Sequence, residues 1–236
     1  MFAALRLLTV WVMLGVPAAI VALPWAALRK DFRLMHRWGM GIVRLGTRAA
    51  GVRVRVEGRE NLPGQACIFV SNHVSNMDAP ALLPVLPGMS SVFIKKKLMG
   101  VPILGTAMRM AKYIPVSRGN SREEAQKSVE YAAKALREGN NIVMFPEGTR
   151  SPDGNLLPFK KGGFFLAAET GAPMVPVVIR GTARMMLKGS LKIYPGEAVV
   201  RFLPALWPEQ FATREELMEA VRARMEQELM KTKGGE

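Results

Sequence analysis

Short apolar runs that end in polar turns, with helical patterns between many of them, predict an α/β fold: a largely parallel central sheet flanked by helices. A second observation adds an N-terminal membrane-associated helical pair. Leu7–Leu28 is 22 residues without a charge, and a basic amphipathic segment follows it at once. Length is the third observation. The chain's 236 residues suffice for one good core plus an appendage, giving anchoring helices over 1–50 and an α/β domain over 51–236.

As a helix the uncharged stretch reaches ~33 Å at ~1.5 Å per residue, enough for a ~30 Å hydrocarbon core. Arg6 precedes it, and Arg29 and Lys30 follow. Pro17 and Pro24 favour kinks, so the helix can enter one leaflet and return rather than cross. A cleaved signal peptide is the competing reading. The length of the stretch opposes it, as do the basic residues where a cleavage site would fall. Next, Phe32, Met35, Trp38, Ile42 and Leu45 recur at steps of three and four, opposite Lys30, Arg33, Arg37, Arg44 and Arg48. That is the pattern of a helix lying in an anionic membrane interface. The other reading of the stripe is packing on the protein core. His36 falls near the basic face and reads as headgroup-facing or incidental.

The α/β part opens with 52–57, which alternates apolar and charged residues as a half-exposed strand does. Further strands are expected at 66–71, 91–95, 112–116, 141–145, 174–179, 190–194 and 197–203. The clearest helix is 122–138, with Ser121 and Glu124 as a capping box and Gly139 after its end. Thr213 and Glu216 cap a second, about 214–231.

The formal net charge is +14 and the pI about 10.4, which calls for an anionic partner. Nucleic acid is disfavoured: no helix-turn-helix, RNP or zinc-finger pattern is present, and aromatics are only 7%, too few for stacking platforms. Much of the charge adjoins the apolar appendage, which an anionic phospholipid membrane explains. The single cysteine, Cys67, excludes an intramolecular disulfide and fits a reducing, cytoplasm-facing domain. Two separated histidines and no paired cysteines give no metal site.

Those histidines are His36 and His73, so a catalytic imidazole must be one of them. His73 and Asp78 follow the apolar run Cys67–Val70, at the carboxyl end of a strand, where open α/β sheets bind ligands. On a straight helix the two side chains would lie about 140° apart. Within a turn they can meet, with Asp78 on one ring nitrogen and the other free to take a proton. The structural alternative makes Asp78 an N-cap for the helix begun by Pro80, and His73 a turn residue.

Phe145–Ser151 is another strand-to-turn junction. Gly148 lets backbone approach a ligand, and Thr149 and Arg150 suit phosphate oxygens. Glu147 could orient a hydroxyl or Arg150. Arg118 follows a third strand end, and Lys95 to Lys97 close a fourth. Lys160 and Lys161 precede a helix start; a lysine run is most often a solvated face. The ordinary alternatives are a β-turn with a surface ion pair and solvated cations.

Together these residues resemble the glycerophospholipid acyltransferase family, and within it the 1-acyl-sn-glycerol-3-phosphate acyltransferases. Asn72-His73 through Asp78 looks like that family's N-H-x4-D motif. Lys95 with Leu98, Pro102 and Gly105 resembles its K-x-x-L…P-x-x-G stretch. Val116-Ser117-Arg118 is similar to the end of its second motif, Phe145–Ser151 to its F-P-E-G-T-R-S third, and Met174–Val177 to its fourth. Lys112, Ser117 and Lys97 depart from the usual pattern, which bears on the acceptor headgroup.

The resemblance implies acyl transfer from an acyl-CoA or acyl carrier protein thioester to the 2-hydroxyl of lysophosphatidic acid, giving phosphatidic acid. His73 would be the base and Asp78 its partner. Lys95, Arg118 and Arg150 would hold the acceptor phosphate, with Gly148 and Thr149 shaping the pocket. No cofactor or metal is expected. Two alternatives remain: another acceptor, such as glycerol 3-phosphate or a lyso-aminolipid, and a non-catalytic basic protein that binds anionic lipid. The expected location is the cell membrane, with the catalytic domain on the cytoplasmic face.

Overall fold

The computed structural model describes residues 2–116, 122–187, 190 and 192–233. The first helix, α1 (Phe2–Arg29), runs unbroken through Pro17 and Pro24. Its 28 residues span ~42 Å at ~1.5 Å per residue. With a mean hydropathy of 2.1, it is the one helix among the described residues long and apolar enough to cross a membrane. Leu5, Leu8, Met13, Ile20 and Val21 lie exposed along it. Continuous apolar surface of this kind marks membrane association.

Helix α2 (Arg33–Ala49) folds back along α1. The two cross closely because residue 46 is glycine: a Cβ there would lie 2.3 Å from the Trp11 ring nitrogen. The α2 stripe divides between packed and exposed residues. Met35 packs against the domain core, whereas Trp38 and Leu45 stay exposed. His36 does not face headgroups. It is buried, and desolvation pushes its pKa below the ordinary histidine value.

The remaining elements are β1 (Val52–Glu57), β2 (Ile68–Ser71), α3 (Asp78–Leu82), β3 (Ser90–Lys95), α4 (Leu104–Met110), β4 (Ile114–Val116), α5 (Arg122–Arg137), β5 (Asn141–Met144), α6 (Gly162–Thr170), β6 (Met174–Arg180), α7 (Thr182–Met185), β7 (Gly196–Phe202) and α8 (Arg214–Lys233). The sheet order is β1-β7-β6-β2-β5-β3-β4. From β6 to β4 every neighbouring pair is parallel. Strand β7 runs antiparallel to β6, and β1 parallel to β7. The carboxyl ends of β2, β3, β4, β5 and β6 therefore share one edge.

Both faces of the sheet are covered, which is why its central strands read as unbroken apolar runs. Phe69 packs on one side with Leu82, Val143 and Phe202. Ile68 and Val70 pack on the other with Phe164, Leu166 and Leu217.

Of the strand expected at 190–194, residues 190 and 192–194 form none, and residue 191 lies outside the described residues. Ser190 N–H closes a turn on Leu187, and Tyr194 N–H bonds the Met185 carbonyl. Pro195 has no N–H to extend a ladder. The strand expected at 112–116 is shorter because Lys112 takes a left-handed φ of 58° at the end of α4. Ser121 of the expected capping box lies outside the described residues. At α8, Thr213 Oγ1 accepts the Glu216 N–H at 3.2 Å, and the Glu216 carboxylate reaches back to Ala212 N at 3.1 Å.

Candidate active site

The parallel edge gathers most of the residues the sequence singled out. Strand β2 ends at Ser71, and Asn72 then locks the chain to β6: its side-chain oxygen accepts from Ile179 N and its amide donates to Ile179 O. The next five residues form a tight turn into α3, with Asp78 as its first residue. His73 Nδ1 lies 2.8 Å from Asp78 Oδ2. The same oxygen accepts the N–H groups of Val74 at 2.7 Å and Ser75 at 2.8 Å. Asp78 is thus not an N-cap for α3; its carboxylate organises the turn that carries the histidine.

Thr182, the first residue of α7, completes the arrangement. Its hydroxyl donates to Asp78 Oδ1 at 2.6 Å. Both residues are fully buried. Nothing in the spacing of Thr182 pointed to this role, because it lies 104 positions from Asp78 and depends on the β2–β6 pairing.

The carboxylate fixes which ring nitrogen carries a proton. Nδ1–H points at Asp78, which leaves Nε2 as the acceptor. The His73 side chain is 22% exposed, whereas that of Asp78 is at 0%. Phe145 stacks on the imidazole, with ring centroids 4.3 Å apart. The ring is held on one face, held at one nitrogen and open at the other.

Glu147 serves backbone donors rather than Arg150. It is buried, and its carboxylate spans two loops by accepting His73 N at 2.8 Å and Leu157 N at 3.0 Å. Desolvation pushes its pKa above the usual carboxylate value, partly offset by those two donors. Ser151 N donates to His73 O at 2.8 Å, so the segment after β5 grips His73 through backbone on both sides.

Gly148 turns that segment with a φ of 67°, and a Cβ there would lie 2.7 Å from Lys160 Cε. Lys160 thus lies against the phosphate-suited turn, although its place in a lysine pair gave no sign of it. Thr149 is exposed and Arg150 half-buried on the same turn. Lys95 is exposed at the carboxyl end of β3. Arg118 lies outside the described residues, two positions beyond the end of β4.

Ser71 and Ser75 are both fully buried with their hydroxyls engaged. Ser71 Oγ donates to Asn72 O, and Ser75 Oγ donates to Met186 O. Neither presents a nucleophile to the edge. The arrangement can therefore take a proton from a bound hydroxyl at His73 Nε2, beside a turn rich in anion-binding groups.

Known proteins resemble this chain in sequence and in fold. A crystal structure of a 1-acyl-sn-glycerophosphate (LPA) acyltransferase from Thermotoga maritima superposes with a TM-score of 0.79 at 28% identity, covering 97% of this chain and 95% of that one. A 1-acyl-sn-glycerol-3-phosphate acyltransferase of Limnanthes douglasii is 35% identical over 79% of this chain and 66% of its own length. The alpha form from Homo sapiens is 31% identical over 79% of this chain and 66% of that protein. The chain thus spans just under two thirds of these two relatives. The family model described as Acyltransferase matches residues 53–180, which run from β1 to the end of β6 and include His73, Asp78 and the Phe145–Ser151 turn. By that match, this chain belongs to the acyltransferase family.

Proposed function

We propose that this protein transfers a fatty acyl group from a thioester to the 2-hydroxyl of 1-acyl-sn-glycerol 3-phosphate, giving phosphatidic acid in phospholipid biosynthesis. The observation that carries the reading is the 2.8 Å contact between His73 Nδ1 and a fully buried Asp78, with the imidazole open at the sheet edge. The activities named for the relatives from Limnanthes, human and Thermotoga support the choice of acceptor.

His73 Nε2 takes the hydroxyl proton as the oxygen attacks the thioester carbonyl. The tetrahedral intermediate collapses by breaking the C–S bond, and the imidazolium returns the proton to the departing thiolate. Asp78 stabilises the imidazolium in between. The alcohol is itself the nucleophile, so no acyl-enzyme forms. The thioester supplies the activation, and the step balances without a cofactor. Lys95, Arg150 and Arg118 hold the acceptor phosphate, while Gly148 and Thr149 shape the turn that receives it. Lys160 adds a further cation beside Gly148.

Acyl-CoA or acyl carrier protein is the donor. Helix α1 and the exposed face of α2 seat the protein in the cytoplasmic leaflet of the cell membrane, against anionic phospholipid. The test is a panel of donors and acceptors with purified full-length protein, following free thiol. Thiol release with lysophosphatidic acid that His73→Ala reduces by about 10²–10⁴ supports the reading. Faster turnover with glycerol 3-phosphate or a lyso-aminolipid reassigns the acceptor. No thiol release with any pair, or full activity in His73→Ala, overturns it.

A further inference from the structure

A pocket that His73 does not line lies against α3. Arg44 and Arg48 of α2, Arg53 of β1 and Arg59 just beyond it line one pocket of about 290 Å³. Its apolar lining includes Val54, Ala81 and Val85, and no carboxylate lines it. Among the described residues none of these arginines forms a salt bridge, unlike Arg55 on the same strand, which pairs with Glu57 and Glu197. A larger cleft of about 990 Å³ shares Arg44 and runs on along α2 past Arg37 and Arg33. That cleft also carries Asp31 and Glu138, so the unopposed charge is concentrated in the smaller pocket.

All four arginines are exposed, so a phosphate seated among them exchanges water for several charge-assisted hydrogen bonds. Arginine's planar fork matches phosphate oxygens two at a time. The position of α2 selects the source of the phosphate. Trp38 and Leu45 are exposed on the apolar stripe of α2, so seating that stripe in acyl chains leaves the basic residues of the same helix at headgroup depth. Of the described residues assigned to the acceptor phosphate, Lys95 ends β3 and Arg150 follows β5, and neither lines this pocket.

We propose that this pocket binds the phosphate of a resident membrane phospholipid, distinct from the acceptor, and so fixes the orientation of the protein on the bilayer. The proposal rests on the membrane reading above. It is tested by co-sedimentation of full-length protein with vesicles of phosphatidylcholine carrying about one-fifth phosphatidylglycerol. Arg53→Gln with Arg59→Gln should weaken binding about tenfold or more, since each basic group near an anionic surface contributes measurably. Thiol release in detergent micelles should be unchanged, because neither residue belongs to the catalytic edge.

Arg53→Lys with Arg59→Lys keeps the charge and removes the bidentate grip. A loss of about threefold or more supports a phosphate pocket. Binding equal to wild type means diffuse attraction only and overturns it. A wild-type protein that ignores these vesicles overturns the membrane reading itself. One that binds them normally when Arg53 and Arg59 are both Gln overturns the pocket alone.

Discussion

Thr182 Oγ1 donates a 2.6 Å hydrogen bond to Asp78 Oδ1, on the side of the carboxylate opposite His73. The threonine touches no reacting atom, yet it fixes the acid that fixes the base. Its position is set by Gly181, whose φ of 84° turns the chain out of β6 where a Cβ would collide with the Glu197 carbonyl. Thr182→Val keeps the shape and removes the donor. A hydrogen bond to a charged group is worth ~1.5–3 kcal/mol, so kcat should fall about tenfold to a hundredfold. KM for the acceptor should hardly move, and Thr182→Ser should restore the rate. An equal rise in KM, or no rescue by serine, would leave Thr182 a packing residue.

Asp78→Asn separates charge from geometry. The new amide can place its oxygen where Oδ2 accepts from His73, Val74 and Ser75, and its NH₂ toward the Thr182 hydroxyl, which can accept. The turn should therefore survive, with Tm within a few degrees of wild type. The imidazolium loses its counter-charge, so kcat should fall by about 10² or more. Retention of more than about a tenth of the rate would show that the carboxylate only positions the ring.

Glu147 gives a pH signature. Burial raises its folded pKa above the ordinary 4.5. For a raised pKa, the contribution to stability is fully present below the unfolded value and is lost as pH rises through the folded one. The stability difference between wild type and Glu147→Gln should therefore shrink with rising pH across that interval. The glutamine must also point its NH₂ at the N–H of either His73 or Leu157. Activity should fall at every pH as His73 shifts, by about tenfold for one broken charge-assisted bond. Parallel melting curves across the interval would contradict a raised pKa, and full activity would remove Glu147 from the support of His73.

Much of the edge was readable because the parallel sheet obeys a simple rule: apolar run, then polar turn, then helix. His73, Lys95 and the turn at Phe145 stood out for that reason. The meeting of His73 with Asp78 was open to either reading, since a turn and a helix place the pair differently. What could not be read was contact across strands. Thr182 reaches Asp78, and Glu147 reaches His73 N, only because β6 and β5 both flank β2. No local spacing encodes that order. At 190–194 the opposite holds for the described residues: the local pattern suits a strand, but Ser190 N–H bonds a turn at Leu187 and Tyr194 N–H bonds Met185.

Gly148 and Lys160 make a coupled pair. The φ of 67° at Gly148 costs an L-residue ~1–2 kcal/mol, and a methyl there would lie 2.7 Å from Lys160 Cε and 2.8 Å from Nζ. Gly148→Ala should thus displace the Lys160 amine from the turn while leaving the buried core intact. If that amine helps hold the acceptor phosphate, Lys160→Met should raise acceptor KM about tenfold with a smaller change in kcat. Gly148→Ala should raise it to a similar degree. In the double variant the two effects should fall well short of additive, because the second substitution displaces a cation already gone. Steady-state kinetics on the four proteins, with lysophosphatidic acid varied at saturating thioester, measures the coupling. Full additivity would mean that Lys160 lies beside the turn without sharing its task.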